Sequence, residues 1–225
     1  MHEHMRDNSG ITETIFHELR HHVPFTFFGA LTGVAIALVF AYAHIPHKVS
    51  HALFATFHPG HVFVSAIATT AMYRLHGRRS VLSTILVGFI GSVGIGTISD
   101  SLIPYLGELV LGAPHAHVHI GFIEEWYLVI PLALLGVAVA YWRPTTEIPH
   151  AAHVLLSTWA SLFHMLMALG VSLGMSSIML IPAFLFLAVW VPCCTSDIVF
   201  PLLFGIKKKK VESDDKAAQP TEGSL

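Results

Sequence analysis

The chain has 225 residues, of which 54% are hydrophobic and 12% are charged, and its formal net charge at pH 7 is -2. This composition excludes an ordinary soluble domain and is typical of a polytopic membrane protein. A charge balance this close to neutral gives no indication of nucleic-acid binding. Histidine is the outlier, because the chain has 17 of these side chains, which bind metals and protons.

Six apolar runs approach or exceed the ~20 residues that a helix needs to cross a bilayer. They lie at 23–43, 52–73, 81–103, 126–142, 151–173 and 177–206. Basic residues fall on alternate connections, at Arg74, Arg143 and Lys207–Lys210. Because cytoplasmic loops are enriched in Lys and Arg, we expect both termini to be cytoplasmic. The sequence therefore predicts an all-α polytopic protein with six transmembrane helices in the lipid bilayer.

The second half of the chain repeats the first. Four matches in the same order carry the repeat: Leu31–Ala37 with Leu134–Ala140, Ile45–His47 with Ile148–His150, His51–Phe57 with His153–Trp159, and Ser99-Asp100 with Ser196-Asp197. Each half holds three spans, and an odd number of spans inverts the second copy. Inverted repeats are typical of transporters, whose binding site lies between the halves near the bilayer midplane.

The repeat divides the chain into five parts. They are a His-rich segment at 1–22, a first three-helix repeat at 23–103, an outside loop at 104–125, a second, inverted repeat at 126–206, and a tail at 207–225. The tail begins with basic residues and continues with charged and small residues, so we expect its end to be disordered.

Acidic residues within spans are the strongest functional signal, because a charge in the hydrocarbon core is costly. Asp100 and Asp197 are such residues, and each lies four residues before a proline. Proline lacks an N–H, so each Asp would offer a carboxylate and an unpaired main-chain oxygen. This pair of oxygens suits a cation or a proton, and an acid that caps a broken helix is the alternative. The repeat predicts that Asp100 and Asp197 approach each other across a two-fold axis in the membrane plane.

Polar stripes follow the second and fifth spans. His58-Pro59-Gly60-His61 places two imidazoles three residues apart, where they share a face of a helix. The stripes are completed by Ser65 and Thr69 in the second span and by His153, Ser157, Ser161 and His164 in the fifth. A hydrogen-bonded core histidine is the alternative for each imidazole taken alone. Together, the two stripes indicate a hydrophilic path lined by metal ligands.

Thiols and outer histidines complete the set of candidate ligands. Cys193 and Cys194 suit a borderline or soft metal or an arsenic species, and buried apolar side chains are an equal alternative. His51 would flank the path at its outer end. In the outside loop, a strand-like segment would place alternate side chains on one face, where they would capture a metal. These side chains are His115, His117 and His119, with Glu124 nearby.

Three classes of function fit these residues. The first is a transporter of a divalent transition metal, Mn²⁺, Fe²⁺, Zn²⁺, Co²⁺ or Ni²⁺, with coupling to protons through Asp or His. The second is a membrane metalloenzyme such as a histidine-box hydroxylase or desaturase, for which His17–His22 is similar to one box. The third is a sensor that binds a metal without moving it. The predicted topology scatters the histidines over both faces, so we expect a transporter rather than an enzyme.

One run, Trp190–Pro201, resembles the heavy-metal exporters of bacteria and archaea, which are also described as manganese transporters. Three more stretches are similar to that family, namely His61–Met72, Gly91–Pro104 and His153–His164. The resemblance implies metal efflux across the inner or plasma membrane of a prokaryote. The family is described with about ten spans, each of ~20 residues. Because only six spans are placed here, a homodimer could supply what the longer chains of that family hold within one chain.

Overall fold

The computed structural model describes residues 2–76, 80–145, 147–170, 174–201 and 204. Every element within these ranges is helical. The α-helices are α1 (His2–Tyr42), α2 (His47–His76), α3 (Val81–Phe89), α4 (Ile103–Val110), α5 (Gly121–Glu124), α6 (Trp126–Trp142), α7 (Glu147–Leu169) and α8 (Met175–Cys194). The π-helical segments are Ile90–Ile95 and Ile98–Leu102, between α3 and α4, and Thr195–Val199, after α8.

Several of these helices are long and apolar enough to cross a membrane. Four stretches of the described chain qualify by length and composition, namely Val23–Tyr42, His47–Leu75, Val81–Val110 and Ala152–Leu169. Two shorter apolar helices lie at Trp126–Trp142 and Met179–Cys193. Each of these stretches overlaps one of the six predicted runs, although several of the ends differ. The all-helical, membrane-protein-like class is confirmed, whereas crossing by the two shorter helices and the inverted repeat stay predictions.

The outer surfaces of the helices are apolar. Large side chains are exposed on several of them, including Phe27 at 64%, Leu82 at 67% and Met179 at 73%. A soluble monomer rarely exposes large apolar surfaces of this kind. This surface is consistent with an integral membrane protein whose helices face lipid.

The third span is longer than the sequence indicates. The helix continues to Val110, beyond the predicted end at residue 103. Pro104 lies in the first turn of α4, where a missing N–H costs little. It therefore allows the helix to continue, and Glu108, which the sequence placed in the outside loop, is fully buried. At the other end of the chain, α1 begins at His2, so the His-rich segment continues into the first span.

The two Ser-Asp motifs share one local backbone. Ser99-Asp100 lies in the π-helical segment before Pro104, and Ser196-Asp197 lies in the π-helical segment before Pro201. A proline cannot donate to the carbonyl four residues earlier. The missing bond favours a wider turn, and such π-helical turns occur frequently at functional sites.

The centre of the bundle is formed by α2 and α7, which make the most extensive helix contact. On its other side, α2 packs closely against α6. Gly136 permits this approach, because a Cβ at that position would lie 2.5 Å from the main-chain oxygen of Phe63. The polar faces of α2 and α7 are thus enclosed within the protein.

Candidate metal centre

One face of α2 is polar along most of its length. The polar side chains from residue 58 onward recur every three or four residues, and His51 lies two turns earlier, which places all of them on one side of the helix. They are His51, His58, His61, Ser65 and Thr69, of which His51 is exposed and the others are at most 1% exposed. From His51 to Thr69 the helix rises about 27 Å. This length approaches the ~30 Å thickness of the hydrocarbon core.

The facing side of α7 carries four more buried polar side chains. They are His153, Ser157, Ser161 and His164, each at most 1% exposed. We call the buried polar faces of the two helices the polar seam (His58, His61, Ser65 and Thr69 of α2 with these four residues of α7). The two polar stripes predicted from the sequence therefore meet in one buried interface.

Asp100 joins the two helices of the seam. Its Oδ2 lies 2.9 Å from Nδ1 of His58 and 2.5 Å from Nδ1 of His61. Its Oδ1 accepts hydrogen bonds from the hydroxyls of Ser99, at 2.5 Å, and Ser157, at 2.9 Å. All five side chains are at most 1% exposed. The buried carboxylate therefore has four hydrogen-bonding contacts, shared between both oxygens.

The contacts of Asp100 determine which imidazole nitrogens remain available. A carboxylate only accepts, so each neutral imidazole donates its Nδ1–H and keeps a lone pair on Nε2. The Nε2 atoms of His58 and His61 are buried and have no hydrogen-bond partner. Leaving such an atom unsatisfied costs about 1–3 kcal/mol. Histidines that ligate metals usually donate the other ring N–H to a carboxylate or carbonyl in this way.

The distances distinguish a co-ligand from an orienting group. His58, His61 and Asp100 lie close enough to be one candidate group for a metal. Two ligands that are ~2.1 Å from one ion lie about 3.0–3.4 Å apart in octahedral or tetrahedral geometry. The 2.5 Å between Nδ1 of His61 and Oδ2 of Asp100 is too short for two ligands of one ion, so this contact is a hydrogen bond. As the atoms stand, Asp100 orients the imidazoles.

A second candidate group shares His61 with the first. It consists of His61, His153 and Cys193, whose ligand atoms all lie within 4.8 Å of one another. The rings of His61 and His153 stack with centroids 4.6 Å apart. Cys193 is a buried thiol at 2% exposure. We call His58, His61, Asp100, His153 and Cys193 the inner cluster.

Hydroxyl groups connect the two halves of the chain. Ser99, in the first half, lies 3.0 Å from the hydroxyl of Ser157 in the second half. Ser196, in the second half, lies 3.2 Å from the hydroxyl of Thr69 and 3.4 Å from that of Ser65 in the first. Each Ser-Asp motif thus reaches the polar stripe of the opposite half.

A second acid–histidine pair lies near the N-terminal end of α2. Nδ1 of His164 lies 2.6 Å from Oε1 of Glu108, and both side chains are buried. The main-chain N–H of His119 donates to Nε2 of His164 at 3.3 Å. Nε2 is therefore the acceptor, and Nδ1 carries the proton directed at Glu108. The other oxygen of Glu108, Oε2, is buried without a hydrogen-bond partner.

The outer histidines lie around this pair. Nδ1 of His119 is 2.8 Å from Oε2 of Glu124, and the ring of His119 approaches those of His51 and His117 at 6.0 and 4.8 Å. Partial burial acts to raise the pKa of Glu124, but the hydrogen bond with His119 holds that pKa below its usual range. We call His51, Glu108, His117, His119, Glu124 and His164 the outer cluster.

Phe54 separates the two clusters. Its ring stacks on His58 with centroids 5.3 Å apart and an interplanar angle of 11°. It meets His164 edge-on, also at 5.3 Å. The side chain is 3% exposed. An apolar ring therefore lies between the last imidazole of the outer cluster and the first of the inner cluster.

The structure brings together many of the predicted ligands and separates others. The inner cluster contains five of them, but the candidate metal groups among the described residues do not include His51, His115, His117, His119, Glu124 or His164. The segment around His115 forms no strand. The main-chain N–H of His115 instead donates to the main-chain oxygen of Ala168. The side chains of Cys194 and Asp197 lie outside the described residues, so the predicted approach of Asp100 and Asp197 stays a prediction.

Glu108 was not predicted as a site residue from the sequence. The signal was its spacing, because residues 100, 104 and 108 lie four apart and share one face of a continuous helix. The prediction that the helix ends at residue 103 concealed this relation.

No family model, characterised protein or solved structure matches the chain. The resemblance to heavy-metal exporters therefore stays an expectation. The features of the chain that bear on function are the buried groups that could hold a metal ion and the apolar helices around them.

Proposed function

We propose that the chain moves a divalent transition metal ion across the membrane by alternating access between its two halves. The observation that carries this proposal is a pair of buried imidazoles, His58 and His61, oriented by Asp100 with both Nε2 atoms unpartnered. Ionisable groups inside a membrane bundle are costly and mark ion pathways. A transition metal suits them because neutral imidazole is a ligand for Fe, Co, Ni, Cu and Zn.

The length of the polar seam supports movement of the ion. A resident metal needs one site, whereas buried polar side chains continue along α2 from His58 to Thr69. The outer cluster extends the polar groups from His58 toward the N-terminal end of α2. An ion that crosses a bilayer must replace its hydration shell over most of the hydrocarbon thickness. From His58 to Thr69 the helix rises about 16 Å, so the seam supplies imidazoles and hydroxyls along about half of that thickness.

The position of the seam supports alternating access. It lies between α2 of the first half and α7 of the second, and inverted-repeat transporters bind their substrate at such an interface. Ser99 and Ser196 each contact the polar stripe of the opposite half. A rocking motion of one half against the other would change both sets of contacts together.

Direction and location belong to the same proposal. Export, a prokaryotic plasma membrane and the homodimer are supported by the resemblance, and cytoplasmic termini by the placement of Arg and Lys. Proton coupling is supported by the chemistry of the ligands, because imidazole and thiol bind metals only in their deprotonated forms.

One observation favours a second function, that of a membrane protein with a resident metal. His61, His153 and Cys193 are each at most 2% exposed. A closed site with nitrogen and sulfur ligands is typical of a structural or enzymatic metal. A metalloenzyme or sensor would use the same residues to hold the ion permanently.

Ion flux into proteoliposomes tests the proposal. The panel is Mn²⁺, Fe²⁺, Co²⁺, Ni²⁺, Zn²⁺ and Cd²⁺, with the double variant His58→Ala/His61→Ala beside wild type. His47→Ala is the matched control, because His47 is an exposed histidine near the start of α2. We expect saturable flux of at least one ion by wild type and the control, and none by the double variant. Stoichiometric binding without flux of any ion would instead favour a resident metal.

A further inference from the structure

We infer that the transported ion is held by Nε2 of His61 together with His153 and Cys193, while Asp100 stays outside the coordination sphere. The geometry points to a thiophilic divalent ion of the Zn²⁺ class rather than Mn²⁺. That the bound ion is transported, rather than held permanently, rests on the proposed function.

His61 can ligate an ion at this site because only one of its two ring nitrogens is hydrogen-bonded. Nδ1 is held by Asp100 at 2.5 Å. Nε2 is buried and has no hydrogen-bond partner. A ring oriented through one nitrogen presents the other at a fixed position, which is how carboxylates prepare histidines for metals. His61 is also the residue that the two candidate groups share.

The three ligands come from three helices. His61 belongs to α2, His153 to α7 and Cys193 to α8, and their ligand atoms lie within 4.8 Å of one another. Ligands of a tetrahedral ion at ~2.1–2.3 Å lie about 3.4–3.8 Å apart. A small inward movement therefore suffices to close the group around an ion. Since α2 lies in the first half and α7 and α8 in the second, the ion would bridge the halves.

Charge balance supports the same set of ligands. A divalent ion displaces the thiol proton of Cys193, because a coordinating thiol is deprotonated. The resulting thiolate and the Asp100 carboxylate then offset the two positive charges of the ion, with both imidazoles neutral. The displaced proton must leave the site, so binding releases one proton per ion. A neutral assembly avoids the cost of a net charge in the hydrocarbon core.

The donor set determines the class of metal. Imidazole and thiolate favour Zn²⁺ and its softer relative Cd²⁺, with Co²⁺ as a spectroscopic substitute, whereas Mn²⁺ prefers carboxylate and water oxygens. Both oxygens of Asp100 are already engaged by four hydrogen-bonding groups. An oxygen-preferring ion would have to break those contacts to gain a carboxylate ligand.

Titration of the purified full-length protein with Co²⁺ tests the site without measuring transport. Thiolate ligation gives a near-ultraviolet sulfur-to-cobalt charge-transfer band. We expect this band in wild type and in the control Cys194→Ser, and its loss in Cys193→Ser. Zn²⁺ should displace the Co²⁺, and an equal concentration of Mn²⁺ should not. A band that persists in Cys193→Ser, or Co²⁺ binding without the band in wild type, would overturn the inference.

A protection experiment avoids any folding defect of Cys193→Ser. The chain has two cysteines, so Cys194→Ser retains Cys193 as its single thiol. At a Zn²⁺ concentration of about ten times Kd, alkylation of that thiol should slow about tenfold, because only the metal-free fraction reacts, and unchanged alkylation would contradict the site. The two proposals can be tested separately. Metal flux without thiolate ligation would support the proposed transport function and contradict this site. Thiolate ligation without flux would support the site and contradict the transport function.

Discussion

The inner and outer clusters are built from the same residue types, but they differ in how many imidazoles share one carboxylate. In the inner cluster, Asp100 serves both His58 and His61, and the Nε2 atoms of both rings remain without partners. In the outer cluster, Glu108 and Glu124 each serve one imidazole, and Nε2 of His164 already accepts an N–H from His119. His164 therefore has both ring nitrogens engaged, whereas His58 and His61 each keep an Nε2 lone pair with which they could bind an ion.

The largest expected effect separates the two imidazoles of the inner cluster. His61→Ala should weaken Zn²⁺ binding by more than about 100-fold, because His61 belongs to both candidate groups. His58→Ala should cost roughly tenfold, since His58 belongs to only one. Competition against a zinc chelator measures both affinities. Equal losses in the two variants would mean that the shared position of His61 has no consequence.

The next effect tests the role of the shared carboxylate. Asp100→Asn keeps the shape of the side chain but removes its charge, so metal affinity should fall about 10–100-fold. The fold should be retained, because a buried charge is itself costly. Glu108→Gln is the matched control from the outer cluster, and its affinity should stay within about twofold of wild type. If Glu108→Gln weakens binding as much as Asp100→Asn, the distinction between the clusters fails.

A third prediction concerns the packing that holds His58. A Cβ on Gly121 would lie 2.2 Å from Cδ2 and 2.4 Å from Nε2 of His58. Gly121→Ala should therefore displace the ring and destabilise the protein by about 1–3 kcal/mol. Thermal unfolding in detergent measures this change.

Gly60→Ala is the control for this substitution, because its Cβ would meet only Leu156, at 3.9 Å. It should be neutral or stabilising by up to ~1 kcal/mol, since Ala favours a helix over Gly. A loss of stability in Gly60→Ala equal to that in Gly121→Ala would show that the site beside His58 is not specially tight.

The smallest effect belongs to the outer cluster and depends on pH. The pKa of Glu124 is lowered despite its partial burial, because His119 bonds to the ionised form. A lowered pKa contributes stability that is complete above the unfolded value of about 4.3 and is lost as pH falls through the folded value. Glu124→Gln should therefore be less stable than wild type near neutral pH and equal to it in acid.

Glu125→Gln, in the same segment, should change the stability in the opposite direction. Burial raises the pKa of Glu125, although nearby histidines oppose this effect. Its ionisation therefore reduces stability as pH rises through the raised folded pKa. Glu125→Gln should gain stability relative to wild type at neutral pH. Unfolding midpoints measured from neutral to acid pH compare the two variants, and changes of the same sign would contradict this account.

The sequence reveals the parts of the site that depend on spacing within one helix. His58 and His61 lie three residues apart, and the apolar runs place them inside a span. The contact of Asp100 with these imidazoles joins residues 42 and 39 positions apart, and it depends on how α2 packs beside the π-helical segment. No local pattern determines that packing. For this reason the sequence predicts Asp100 only as a ligand, whereas the structure also shows its hydrogen bonds with both imidazoles.

The approach of Cys193 to His61 and His153 is also a product of tertiary structure. Each of the three lies on a different helix. Periodicity indicates which face of each helix is polar, but not how far one helix slides along another. Glu108 was missed for a related reason, since the continuation of the helix through Pro104 depends on local π-helical geometry.

The most direct test of the central claim is Zn²⁺ flux into proteoliposomes that contain equal amounts of wild type or Asp100→Asn. We expect saturable flux by wild type and a reduction of at least about tenfold in the variant, since Asp100 orients both imidazoles. Equal flux by both proteins would contradict the claim that this buried centre carries the ion.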